Sequence, residues 1–178
     1  MAVEIESITK QIHTSNRRVS LRVPVSFEPC RLAKAFNLDL MVSDPHLMDV
    51  IGLKVITNEF PPDLDEAIDE EFYTEFARDV YAEFVDTESE TLTVDYRIEK
   101  NFGSHPFVVI IDDVHFLDLG RGYAVAMERR FYFWVSHDWL IWALIMREKQ
   151  DSTTSMDFYE DCIKTLHIMP RGYTGLRF

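Results

Sequence analysis

The chain has 178 residues, 47% of them hydrophobic and 13% aromatic, enough apolar surface to bury a sizeable core in one domain (1–178) and to exclude global disorder. Its formal net charge of −13 and pI near 4.8 set up a field that repels nucleic-acid phosphates and anionic lipid. Met1 to Ser20 lacks the apolar core of a signal peptide, and the apolar runs elsewhere are too short and interrupted to span a bilayer, so the expected protein is cytoplasmic, with neither membrane nor nucleic-acid partners.

In chain order, the first third reads as extended. Val3 to Ile12 and Val19 to Phe27 are separated by Thr14-Ser15-Asn16-Arg17, and in the second stretch Val19, Leu21, Val23, Val25 and Phe27 alternate with more polar neighbours. Pro24 has no amide hydrogen for a ladder, which places that strand at an edge or leaves the proline beside no neighbour. Phe36 to Val42 and Val50 to Thr57 are two further strands about the turn residues Ser43-Asp44-Pro45-His46. Cys30 and Cys162 lack the paired spacing of a metal knuckle or redox motif and read as two reduced thiols, a disulfide between them being the alternative.

Pro61 and Pro62 end the preceding strand, Asp63 is placed as an N-cap, and Glu66 follows three residues on as in a capping box, so a helix is expected to start here. Leu64, Ile68, Phe72, Phe76, Val80 and Phe84 recur every four residues, with Ala67, Tyr73, Ala77 and Tyr81 widening the stripe. The other faces are carboxylate. Between Asp63 and Glu90 stand twelve acids against one cation, Arg78, a local net charge of −11 out of −13. Burial of large apolar side chains at about 1.5–3 kcal/mol each outweighs i,i+4 repulsion of a few tenths of a kcal/mol per pair, so packing holds this helix.

Strand pattern returns at Thr91 to Ile98, turns at Asn101-Phe102-Gly103-Ser104, and resumes from Phe107 to His115 with an acidic exit at Asp112-Asp113. Asp118 to Gly122 reads as a loop. Tyr123 to Val135 and Trp139 to Met146 flank Ser136-His137-Asp138 as a compact hairpin. Its Tyr132, Trp134, Trp139 and Trp142 place large apolar groups on both faces, so either both faces are covered or one is an interface. Ser155 or Thr154 caps a final helix from Met156 to Leu166, striped by Phe158, Tyr159, Cys162, Ile163 and Leu166, and Pro170 to Phe178 reads as a loop-like tail.

No motif names a reaction. Asp113 and His115 share a strand face and His105 can join them across a turn, but two or three such groups without a further ligand read as a solvated strand end rather than a metal site. Helical carboxylates radiate outward and lack a glycine-turn loop, which disfavours calcium. Adjacent residues in Ser136-His137-Asp138 cannot adopt triad geometry, and Gly120-Arg121-Gly122 lacks the rest of a phosphate loop. The expectation is therefore no catalytic residue, no metal and no cofactor.

The resulting order is α+β: an antiparallel sheet of about six to eight strands sandwiched with one long acidic helix and a C-terminal helix. Three stretches carry a resemblance, namely Asn37 to Asp44, Gly52 to Phe72 running from strand through Pro-Pro into helix, and Tyr123 to Met146 leading to Asp157 to Ile168. In these the chain resembles the PsbP-like fold family, which includes an extrinsic photosystem II subunit, a Ran-binding import factor and chaperones of type VI secretion effectors. The resemblance implies a non-catalytic protein-interaction domain, an adaptor, chaperone or inhibitor. Such a domain would steer a protein partner with a basic surface through Asp69, Glu70, Glu75 and Asp79, with Trp134 and Trp139 as apolar anchors. Two alternatives stand beside it. One is a small-ligand binder or enzyme whose pocket lies between sheet and long helix with His105, Asp113 and His115 at its mouth; the other is a self-associating protein, a homodimer through an edge strand or the aromatic hairpin.

Overall fold

The computed structural model describes residues 8–14, 19–34, 36–46, 49–57, 70–84, 91–136, 139–149 and 155–169. In chain order these form β1 (Thr9–His13), β2 (Val19–Pro24), β3 (Glu28–Pro29), a 3-10 turn (Arg31–Lys34), β4 (Leu40–Ser43), β5 (Val50–Thr57), α1 (Glu70–Phe84), β6 (Thr91–Phe102), β7 (His105–Gly120), β8 (Tyr123–Ser136), β9 (Trp139–Glu148), α2 (Met156–Lys164) and β10 (His167–Ile168). The predicted capping box at Asp63 and Glu66 and the tail from Pro170 lie outside the described residues.

Seven strands make one antiparallel sheet in the order β3-β4-β5-β9-β8-β7-β6, as the α+β reading expects. The first two strands depart from that reading by forming a separate three-stranded sheet, β1-β2-β10, closed by the short C-terminal strand through Ser20 opposite His167 and Val19 opposite Ile168. Pro24 ends β2 opposite Thr9, beyond the residues that β10 reaches, so its missing N–H costs no ladder bond on that side.

Alternation along the central strands sends side chains to two cores. Val108, Ile110, Tyr132, Trp134, Ile141, Ala143 and Ile145 pack toward the small sheet and α2, meeting Leu21, Val23, Tyr159 and Ile163. Val109, Ile111, Phe131, Phe133, Trp142 and Leu144 pack toward α1 and the segment that carries Leu38, meeting Tyr73, Ala77 and Tyr81. Both faces of the aromatic hairpin are thus covered, which is why its strands read as nearly unbroken apolar runs. The hairpin itself forms as expected, with Ser136 opposite Trp139.

The segment from Asp118 to Gly122 is not a loop. β7 continues to Gly120, and Arg121 (φ 56°) and Gly122 (φ 79°) make a two-residue turn in which both central residues have positive φ, the geometry that matches strand twist. Asp118 accepts a hydrogen bond from the Gly120 N–H at 2.7 Å beside a register shift. From Phe116 to Val125 the β7–β8 ribbon has no strand neighbour among the described residues, and Tyr123 at its tip is 74% exposed.

Helix α2 follows its sequence signals: Ser155 Oγ accepts from the Phe158 N–H at 3.2 Å, and Cys162 and Ile163 face the core. Both cysteines are free, and burial pushes the Cys162 thiol up to about 12, so it acts as a packing group. The Arg22 N–H donates to Thr165 Oγ1 at 2.8 Å, joining β2 to the exit of α2. At the β6–β7 turn Gly103 (φ 59°) lies so close to α2 that a Cβ there would stand 2.5 Å from the Lys164 carbonyl oxygen. Gly122 also has positive φ, but the space around it is open. Gly122→Ala is therefore expected to cost about 1–2 kcal/mol of backbone strain. Gly103→Ala adds a backbone clash and is expected to cost about 1–3 kcal/mol more, a difference read from urea midpoints at equal slope.

Candidate functional site

Helix α1 turns a different face inward from the one its most apolar stripe suggests. Tyr73, Ala77 and Tyr81 are the buried residues, whereas Phe72 is 43% exposed and Phe76 half-buried, their rings stacked 6.2 Å apart. Ala77 permits close approach to the sheet. Tyr81 sets its edge against Phe131, centroids 5.2 Å apart, and donates its hydroxyl to Asp113 Oδ2 at 2.5 Å. The rotation fixes what α1 shows outside: Glu71, Glu75, Asp79 and Glu83, spaced by four residues, form one exposed carboxylate ridge. Among the described residues none of these four makes an ion pair, and the last turn holds no base to complement the helix dipole. Glu70, beside the ridge, pairs with Lys100 Nζ at 2.7 Å, and Arg78 lies 4.8 Å from the centre of the Tyr96 ring on β6.

Beneath α1 lies a polar cluster where the sequence predicts a solvated strand end. Asp113 opposes Arg129 across β7 and β8, accepting from Nε at 2.8 Å and Nη2 at 2.6 Å, and its side chain is fully buried. Burial and the bond to this carboxylate push the Tyr81 hydroxyl well above its usual range. One residue earlier and on the opposite face, Asp112 opposes Arg130, accepting at 2.6 and 3.2 Å, and also pairs with Arg97. Arg130 reaches on to Glu160 of α2 at 2.9 Å, where the Tyr132 hydroxyl donates at 3.0 Å and Lys164 pairs at 3.1 Å. Asp112-Asp113 is therefore mid-strand, its charges matched by Arg129-Arg130. The available signal was that second charged doublet inside the next apolar strand.

Of the residues singled out for partner binding, Glu70, Glu75 and Asp79 are exposed on α1; Asp69 and the side chain of Trp139 lie outside the described residues. Trp134 is 1% exposed and packs in the core on the α2 side, so it is not available as a surface anchor. His105, Asp113 and His115 do not line the mouth of one pocket. His105 lies against Trp134 with its ring tilted, centroids 4.9 Å apart, Asp113 is closed over by Tyr81 and Arg129, and His115 lies farther along β7, half-buried. Burial lowers both imidazole pKa values, with Arg129 adding to the effect at His115. Among the described residues no three His, Cys, Asp or Glu side chains converge to hold a metal ion, and no helix is long and apolar enough to cross a membrane.

A cleft of about 340 Å³ opens where Asp95, Asp112, Glu128, Arg130, Arg147 and Met156 meet. Its guanidinium groups are already engaged, Arg130 with Asp112 and Arg147 with Glu128 at 2.7 Å, so a charged ligand would first have to break these pairs.

No family model matches the chain, and no curated protein matches it in sequence. Solved structures match its fold. The solution structure of cyanobacterial PsbP (CyanoP) from Synechocystis superposes with a TM-score of 0.57 at 11% identity, covering 90% of this chain and 92% of that one. The Ran-binding protein Mog1p of Saccharomyces cerevisiae superposes with a TM-score of 0.52 at 11% identity, covering 90% and 95%. A crystal structure from Bacteroides thetaiotaomicron gives 0.53 at 11% identity over 93% of this chain, which spans half the length of that protein. The fold is PsbP-like, as the resemblance implies.

Two outcomes follow from the buried groups. Arg129→Met leaves Asp113 charged and buried and is expected to lower unfolding free energy by about 3–5 kcal/mol. Arg147→Met, at a more accessible pair, is expected to cost no more than about 1 kcal/mol by the same denaturant titration. The His105 pKa is lowered from 6.5 by folding, so its contribution is complete above that value and is lost as pH falls below it. The thermal midpoint of the wild type is expected to drop more steeply between pH 7 and pH 5 than that of His105→Leu.

Proposed function

We propose that the protein is a protein-interaction domain, an adaptor, chaperone or inhibitor, whose acidic α1 ridge meets a basic surface on its partner. The observation that carries this reading is the ridge of Glu71, Glu75, Asp79 and Glu83, exposed along one line of a helix whose other side is pinned to the sheet by Tyr73, Ala77 and Tyr81. Four like charges at i,i+4 spacing cost the helix a few tenths of a kcal/mol per pair and do nothing for packing. What they supply is a directional negative field on a rigid element, the arrangement that speeds encounter with a cationic surface and disfavours polyanions. The half-exposed Phe72–Phe76 stack lies on the same helix and offers apolar contact area beside the charge. A structural neighbour that is itself a Ran-binding protein supports placing a protein-binding role on this fold.

The test uses Glu75→Lys/Asp79→Lys/Glu83→Lys. Lysines toward the C-terminus of α1 complement the dipole, so stability is expected to hold or rise by about 0.5 kcal/mol. Affinity for a partner isolated with the wild-type chain is expected to fall about tenfold or more, and wild-type binding to weaken steeply as salt is raised. Binding by titration calorimetry that is indifferent to both the substitutions and salt would remove the ridge from the interface.

A further inference from the structure

We infer that β6 is a self-recognition edge: two copies of the chain join their seven-stranded sheets by antiparallel pairing of β6 with β6 about a two-fold axis at Tyr96. Strand β6 ends the sheet, and among the described residues its strand neighbour is β7 alone. It spans 12 residues without a proline, and after a register shift between Thr91 and Val94 it pairs regularly with β7 from Val94 to Lys100, which leaves the run about Tyr96 free of the irregularity that blunts an edge. Val94 (40%) and Tyr96 (36%) are exposed along it.

Its charges identify the occupant. In the run Val94-Asp95-Tyr96-Arg97-Ile98 an acid and a base flank Tyr96, and an apolar residue lies beyond each. A two-fold axis normal to the sheet keeps every residue on its own face, so residues of equal parity pair. Centred on Tyr96, that axis sets Asp95 of each copy opposite Arg97 of the second copy, Val94 opposite Ile98, and Tyr96 opposite Tyr96. Shifting the centre to Asp95 or Arg97 puts like charges on the axis; shifting it to Ile98 sets Arg97 opposite Glu99 but leaves Asp95 opposite Asn101 and brings Lys100, already paired with Glu70, opposite Tyr96. The alternating signs that repel an unrelated strand are thus complementary to a copy of themselves.

A second observation concerns Asp95. It stands directly opposite Asp112 on β7, a like-charge cross-strand pair, and among the described ion pairs Arg97 serves Asp112 while Asp95 has none. Arg97 of the second copy would occupy the open side of Asp95.

The register makes the test specific. Asp95→Arg places a guanidinium against Arg97 of the other copy at two symmetric positions, yet within its own chain it gains Asp112 across the ladder, so the fold is kept. Sedimentation velocity over a concentration series is expected to show a wild-type monomer–dimer equilibrium, a dissociation constant raised about tenfold or more in Asp95→Arg, and recovery in Asp95→Arg/Arg97→Asp. The thermal midpoint of Asp95→Arg should be no lower than that of the wild type. Hydrogen exchange on the unmodified chain gives a readout independent of any variant: amides between Val94 and Ile98 should gain protection with concentration. A wild-type monomer at every concentration, a dimer indifferent to Asp95→Arg, or a folded double variant that does not recover would each overturn the inference.

Discussion

Two consecutive acids of β7, Asp112 and Asp113, face two consecutive bases of β8, Arg130 and Arg129, and because neighbouring side chains of a strand point to opposite faces, one ion pair stands on each side of the main sheet. Each pair reaches a different helix. Asp113 holds Tyr81 of α1, and Arg130 holds Glu160 of α2. Both covering layers are thus indexed to the same two rungs of one ladder. A slip of one residue would exchange the faces. A slip of two would put Asp112 opposite Glu128 in one direction and opposite Tyr132 in the other. Apolar runs as uniform as Val108 to Ile111 and Phe131 to Val135 specify register weakly by themselves, since many offsets bury similar area. The buried charges remove that degeneracy because an uncompensated one costs several kcal/mol.

The same indexing shapes the outer surface. Because Tyr81 is fixed over Asp113 and Phe131, α1 cannot roll to bury Phe72 and Phe76, and its carboxylate ridge is held at a set angle to the sheet. The negative field is therefore a property of a rigid element. At the sheet edge, Arg78 of the same helix reaches Tyr96 of β6, so the ridge and the β6 edge of the described sheet are neighbouring but chemically distinct. One is a row of like charges on a helix, the other a strand on which acid and base alternate.

Much of this was legible along the chain where the causes are local. The β8–β9 hairpin, β5 and a hydroxyl cap at Ser155 or Thr154 follow from apolar runs, turn residues and a hydroxyl placed before a helix, whereas the apolar runs left open whether both hairpin faces are covered or one is an interface. What escaped depends on residues distant in sequence. A charged doublet inside a strand reads as an end unless its partner, 16 to 18 residues on, is known to lie opposite. The faces of α1 centred on Phe72–Phe76 and on Tyr73–Ala77–Tyr81 are about 100° apart with the same four-residue spacing, and what favours the second, the acceptor at Asp113 and the ring of Phe131, lies far along the chain. The two-residue β10 has no periodicity to detect, so nothing local announced that β1 and β2 would leave the main sheet.

The closure of the small sheet by β10 has a consequence for the order of assembly. The meander from β6 to β9 consists of sequential hairpins, contacts between near neighbours that form early in a folding reaction. Pairing of Val19 with Ile168, and of the Arg22 amide with Thr165, instead spans nearly the whole described chain. During synthesis, β1 and β2 are made well before α2 and β10, and must wait for them before Val19, Leu21 and Val23 can be buried under Ile163 and Ile168. Until those elements are made, the β1–β2 hairpin has no cover for these apolar side chains, so its burial is among the last contacts the topology allows.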